Sequence, residues 1–538
     1  MALRNAIPLR FSPAGLSDTL DSTDNFPGAM ASLANLIPDP TTKNLWQCRP
    51  AAVSKGNTTG NKFVSAAIVV GDRVYGMVGS NVNAGKDEPF CFNITGSALV
   101  SITGITNANS PTQLATTGDW IPPSMDLVGT KIVVAHQGFV GTSNFIGWID
   151  ISNPAALTWT AGNVATNPFA TVPTAVKQYG NRAWYALNPT TGAPTLVYSD
   201  VLVPTTVTLS SQALQFGDNL PLTALGALPL NNQSGGIIQS LIVFKGASNM
   251  YQITGDPAIT NSLNNNAMSV ATGTLAPNSI ATTPKGLAFM SPDGIRYIDF
   301  QGNISDPIGV AGDGVSVPFI NALIPSRACA ACNASVYRIS VQNDAAVGNA
   351  NQEYWFDIPR KVWTGPHTFP YSQIKPYKSS FVGFPLAVTG GIFTSDVAAR
   401  HASVYVENGA TLQWVFQTAL LPDPSQMAEM AMVETTINVT KSAGVVINIL
   451  ALDQGGSALG TYILPASAAA SFWGTMVWGV SLWQGVALAL APRPIKWPAP
   501  IEFRRLAIYA TGLSGAGLQI GDVFMRYQIL RYLQEPVS

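Results

Sequence analysis

Three histidines, four cysteines and 29 acidic residues leave this 538-residue chain few places to put chemistry. Cys329 and Cys332 form its one Cys-x-x-Cys pair, while Cys48 and Cys91 lie far away in sequence. A structural zinc site takes four ligands, and a thioredoxin-like pair needs a strand–helix–strand context. The flanking Ser-Arg-Ala and Asn-Ala-Ser supply neither, so the thiols read as buried side chains. His367, in Trp363-Thr-Gly-Pro-His367, reads as a turn residue bonded to backbone rather than a catalyst. His136 ends a strand pattern and His401 follows Arg400, and neither has a Ser, Asp or metal-like partner nearby in sequence. Ser291-Pro-Asp293-Gly294 opens like the Asp box of sialidases, but Ile295 and Arg296 follow and it occurs once, so turn chemistry accounts for it. Glycoside hydrolysis needs two convergent carboxylates, which spacing alone does not reveal. Gly515-Ala-Gly517-Leu-Gln-Ile-Gly521 lacks the strand–helix setting of a dinucleotide loop and reads as a hairpin turn. No catalytic, cofactor-binding or metal-ligating residue is assigned, and the chain is expected not to be an enzyme.

The elements that would position any site are all strands. Charged residues make up 11% of the chain, against about 25% in an ordinary domain. Hydrophobic residues make up 47%, which excludes intrinsic disorder. A net charge of -1 argues against a nucleic-acid reader, which needs surplus Lys and Arg. Paired β-branched and aromatic runs flank tight turns at Gly71-Asp72, Gly129-Thr130, Gly180-Asn181, Gly246, Pro292–Gly294 and Gly390-Gly391. SVYRISVQ and EYWFDI form a further pair around a loop through Asn343 to Asn351. The turns recur about every 50 residues, the period of a β-propeller blade. No Trp-Asp or kelch signature recurs, so the expectation is an irregular propeller of about six to seven blades over 61–410. A string of β-sandwich domains is the alternative.

Beyond 410 the strands lengthen. Val523, Met525, Tyr527 and Ile529 alternate with Phe524, Arg526, Gln528 and Leu530, predicting a β-sandwich-like platform domain over 411–538. Residues 1–60 carry six prolines and little periodicity, and read as an extended arm joining that platform. Arg504 and Arg505 are adjacent and would point to opposite faces of a strand, a solvated edge. Gln454 to Pro492 carries no charge and is long enough to span a bilayer. Its glycines, and a Trp every five residues at 473, 478 and 483, give no coherent helical face, so short strands rather than a membrane span are expected. The opening MALRNAIPLRFSPAG has no apolar run of signal-peptide length, which predicts synthesis in the cytosol.

Four segments together resemble one family. They are FPGAMASLANLIPDPTTKNLWQCRPAA (26–52), LIVFKGASNMYQITGD (241–256), SIATTPKGLAFMSPDGIRYIDFQGNISDP (279–307) and APIEFRRLAIYATGLSGAGLQIGDVFMRYQILRYL near the C-terminus. They are similar to tail nozzle proteins, also called tail hub or tubular proteins, of short-tailed double-stranded DNA bacteriophages. The resemblance implies a structural virion protein assembled in the host cytoplasm. It implies a homo-oligomer, a ring of about six copies below the portal and its adaptor, with tail fibres or spikes docked on its flank. The ring would close the DNA channel and then pass the genome without sequence recognition. The family offers no catalytic or cofactor set to carry over. Two rivals stand beside it. One is a carbohydrate-binding propeller using Trp120, Trp148, Trp355 or Trp363 as platforms, though core packing is the simpler role for each. The other is a tail-borne glycosidase.

Overall fold

The computed structural model describes residues 6–17, 28–39, 45–58, 63–114, 121–231, 237–259, 262–308, 317–333, 335–342, 352–386, 390–396, 406–421, 428–440, 446–465, 491–514 and 518–532, with 42, 315 and 388 singly. Strands dominate. Helix among the described residues is confined to single turns such as Val317–Ile320.

The turn glycines set the first level of organisation. Gly71, Gly129, Gly180 and Gly246 all have φ near +60° and each joins two antiparallel strands. A side chain costs energy in that left-handed region, so Gly, or the Asn181 that follows Gly180 at φ +58°, fixes where each chain reversal falls. The hairpins extend into seven antiparallel sheets. Their innermost strands are Val64–Val70, Ser124–Val128, Ala175–Tyr179, Leu222–Asn231, Ala281–Thr283, Cys329–Asn333 and Tyr371–Tyr377. Each inner strand packs beside the next, and the seventh returns to the first, so the sheets are the blades of a closed propeller. Blade 5 has three strands, and blade 2 gains Ile102–Thr103 on its outer edge.

The ring is closed by a strand from far away in sequence. Val53–Asn57 pairs antiparallel with Gly391–Asp396, so blade 7 takes its outermost strand from the segment that precedes blade 1. That ladder ties the last blade to the segment that leads into the first. Apolar clusters fill the spaces between successive blades, such as Val133, Ile146, Val176 and Tyr185 between blades 2 and 3. Burying each such side chain stabilises the ring by about 1.5–3 kcal/mol.

The rest of the chain forms a two-sheet sandwich. One sheet runs Leu36–Pro38, Trp46–Cys48, Gln519–Tyr532, Ala428–Val439, Ala491–Ile495, with Ile7–Phe11 and Ile501–Phe503 alongside. The other runs Gly15–Leu16, Ala29–Ser32, Gln413–Thr418, Leu506–Leu513, Ile447–Asp453, Ala458–Leu464. Val523, Met525 and Tyr527 are buried while Arg526 and Gln528 face outward, as their alternation predicts. Two local expectations fail here. Residues 515–517 lie outside the described residues, but the strands on either side, Leu506–Leu513 and Gln519–Tyr532, belong to different sheets and are not paired as one hairpin. Arg504 and Arg505 lie in the bend that makes a similar crossing from Ile501–Phe503, not in a strand. A local pattern cannot distinguish a turn within a sheet from a passage between sheets. The apolar run at 466–490, with its three tryptophans, lies outside the described residues. No helix among the described residues is long and apolar enough to cross a membrane.

Candidate functional site at the propeller axis

The residues singled out by type mostly serve packing. Cys329 and Cys332 sit three apart on one inner strand and enter different apolar clusters. Burial pushes both thiols up to about 12, and burial likewise raises Cys91 to about 11, which suppresses thiolate chemistry. No cluster of metal-ligating side chains occurs among the described residues. Asp293 accepts bonds from Arg296 and from Ser291 Oγ (2.5 Å) in the turn between Gly286–Ser291 and Gly294–Ile298. The Arg296 hydrogen bond holds its carboxyl down at about 2. Trp355 and Trp363 are core residues, Trp148 is half-buried beneath Lys131, and Trp120 and His401 lie outside the described residues.

His136 has partners that sequence proximity did not reveal. Its Nε2 lies 2.9 Å from Asp87 Oδ2, and Ser65 Oγ donates to the same oxygen at 3.3 Å. His136 Nδ1 accepts from the Gly138 N–H at 2.9 Å, so the proton sits on Nε2 and points at Asp87. The three residue types of a hydrolytic triad are present in the wrong order, because the carboxylate stands between the hydroxyl and the imidazole. All three are buried. The set ties blade 1 to blade 2.

His367 accepts the Asn35 N–H on Nδ1 at 3.0 Å and meets Thr364 Oγ1 at 3.1 Å through Nε2. Nearby, Arg338 lies between Trp355, Tyr371 and Phe381, donates to Glu353 at 2.7 Å and reaches Ser395 Oγ at 2.9 Å. Arg49 makes a two-point pair with Glu407 at 2.6 and 2.9 Å, and Glu407 also accepts the Ala52 N–H. His367 thus ties the arm to blade 6, Arg338 ties blade 6 to blade 7, and Arg49 ties the arm to the segment that follows blade 7.

The arrangement best able to hold a ligand lies on the propeller axis. A cavity of about 200 Å³ is bounded by inner strands of six blades or their lead-in turns, with Ser124, Lys177, Gly226, Thr282, Gln373 and Lys375 among its walls. A small space of about 20 Å³ beside its Asn278 and Gln373 wall carries Ser65, Pro122, Ser326 and Arg327. Polar bridges brace the wall between blades. Ser124 Oγ donates to Val176 O at 2.9 Å, Asp126 Oδ2 accepts the Gln178 N–H at 2.8 Å, and Gln373 Nε2 donates to Ser65 O at 3.0 Å. Lys177 pairs with Asp126 at 2.8 Å. Burial pulls the Lys375 ammonium below its ordinary value, with Cys329 and Asp126 opposing and Lys177 assisting. No Asp or Glu lines either space among the described residues, so the two-carboxylate chemistry of glycoside hydrolysis finds no pair there. Composition hid this site, because its lysines are 198 residues apart (Lys177 to Lys375) and meet only when the ring closes.

No protein-family model matches the chain, and no curated protein matches it. Among solved structures it is similar to a mutant puromycin hydrolase complexed with PGG, at TM-score 0.40 and 10% identity, over 67% of this chain and 59% of that one. It is similar to BBS1N in complex with ARL6DN at TM-score 0.38 and 9% identity, over 65% and 98%. A GH43B protein of the Bacteroides ovatus xyloglucan PUL matches at TM-score 0.29 and 9% identity, over 89% and 99%. The chain spans about three-fifths of the puromycin-hydrolysing structures, at 59% and 58% of their lengths. The class that the ring of seven sheets defines is an all-β propeller protein. One expectation is corrected: the matched structures include a puromycin hydrolase and a Mycobacterium tuberculosis puromycin-hydrolyzing peptidase, so the reading of the chain as a non-enzyme does not stand.

Proposed function

We propose that this chain is a subunit of the tail nozzle of a short-tailed double-stranded DNA bacteriophage, assembled as a ring of about six copies beneath the portal and its adaptor, through which the genome passes. The observation that carries the reading is where its four resembling segments fall. Segments 26–52 and 499–533, at opposite ends of the chain, meet in one sheet, where Gln47 and Trp46 pair with Gln519 and Ile520. Segment 241–256 spans the central hairpin of blade 4, and 279–307 contains all three strands of blade 5. Each of the four stretches thus falls within one structural unit, and one of them takes in a complete blade.

The surface charge supports a conduit. Exposed arginines of the sandwich have carboxylate neighbours: Arg10 with Asp522 at 2.6 Å, Arg526 with Glu434 at 3.4 Å and Arg531 with Glu429 at 2.5 Å. Each unmatched cation contacting a phosphate adds about 0.9 to the salt slope of DNA binding, so a matched surface passes DNA without holding it. The test is negative-stain imaging of the purified chain, alone and mixed with the portal–adaptor complex from the same genome. A ring of about six subunits, free or capping the portal, is the expected result. Dispersed single-chain particles in both samples would overturn the reading and direct attention to glycan binding and hydrolysis.

A further inference from the structure

We propose that the axial cavity of the propeller is a binding site for a small oxyanion, a compact phosphoryl or dicarboxylate group held between Lys177 and Lys375. This stands independently of the nozzle reading.

Both lysines line the same cavity, one from the inner strand of blade 3 and one from that of blade 7. Their situations differ. Lys177 has a carboxylate partner in Asp126. That carboxylate is already shared, because its oxygens also accept the backbone N–H groups of Leu127 at 2.9 Å and Gln178 at 2.8 Å. Lys375 has no hydrogen bond or ion pair among the described residues. Two ammonium groups therefore face a partly desolvated space in which the one nearby carboxylate, Asp126, pairs with Lys177 alone, and Arg327 stands at the adjoining small space.

A desolvated cation without a counter-charge is costly, and folding ordinarily removes such a group to solvent or gives it a partner. Here Ile374, buried in the cluster between blades 6 and 7, fixes the strand's other face, and Lys375 lines the axial cavity. An anion bridging the two ammonium groups would supply the missing charge and accept several N–H bonds from each. At about 200 Å³ the space is several times the roughly 30 Å³ share of one water molecule, enough for a tetrahedral phosphate or a four-carbon diacid with its own waters. Braced walls and an open centre give a preformed site rather than a collapsed core.

The experiment is calorimetric titration of the full chain with inorganic phosphate and, separately, with succinate, each against sodium chloride at matched ionic strength. Saturable binding of either anion at millimolar concentration or below is expected, and which one binds assigns the phosphoryl or the dicarboxylate class. Lys375→Met should weaken that binding about tenfold or more, the range for losing one charge-assisted hydrogen bond, while Lys375→Arg should keep it within a few-fold. No saturable heat with either anion, or an unchanged Kd in Lys375→Met, would overturn the proposal. Should Lys375→Met fail to fold, acetylation footprinting of the unsubstituted chain decides. The bound anion should protect Lys375 and Lys177 but not the exposed Lys378, and equal labelling of all three with and without anion would overturn it.

Discussion

His367 is placed where a second proton has no room. Its Nδ1 faces an N–H donor, so the imidazolium would set two donors against each other. Burial, with Arg49 and Arg338 nearby, holds its pKa well below 6.5. The unfolded chain takes up the proton near 6.5 and the folded chain does not, so stability falls as the pH drops below that value. The loss is about 1.4 kcal/mol per pH unit until the depressed folded value is reached. Denaturant midpoints at pH 7.5, 6.0 and 5.0 should show this slope, and His367→Gln should flatten it. At the same scale, His136 shows why chemistry was hard to read from sequence. Asp87 and Ser65 lie 49 and 71 residues before it and come together only through blade packing. The Asp293 turn, by contrast, was legible because every group it bonds lies within about a dozen residues.

Elements repeat this contrast. The hairpins could be read directly, since Gly71, Gly129, Gly180 and Gly246 act through their own φ angles. The closing strand could not, because Val53–Asn57 and its partner Gly391–Asp396 carry no mutual signal in sequence. Two glycines now found inside blades make the element scale testable. A methyl on Gly147 would overlap the buried Trp159 indole on the neighbouring strand. Gly147→Ala should cost about 1–3 kcal/mol by overpacking, seen as a lower thermal midpoint, with most of it recovered when Trp159 is also reduced to Leu. Gly56, in the closing strand, has φ +147° and faces the Phe92 ring 3.1 Å from where a Cβ would sit. Gly56→Val should strain that strand by about 1–3 kcal/mol. Hydrogen exchange should then accelerate first in 380–396, before the inner strands of blades 2 to 4.

At the scale of the molecule, sandwich and propeller are not separate bodies. One continuous apolar core runs from Trp46, Trp414 and Tyr527 of the sandwich to Met290, Tyr337 and Trp363 of blades 5 and 6. The Arg49–Glu407 pair lies at the two crossings of the chain between these units, fully enclosed. Burial pulls Arg49 toward its neutral form, and Glu407 more than offsets this. Glu407→Gln, which strands that cation, should cost about 3–5 kcal/mol, while replacing both partners by leucine should restore most of it. Scanning calorimetry of the single and double variants checks both outcomes. The crossings have a mechanical consequence. In the antiparallel register Val53 stands beside Thr394, so the chain enters and leaves blade 7 on neighbouring strands at the same end. Tension between sandwich and propeller would pull both strands in one direction and slide neither past the other. The seam that closes the ring is therefore the ladder such a load does not shear, and the force passes instead into 380–385 and the packed blades behind it.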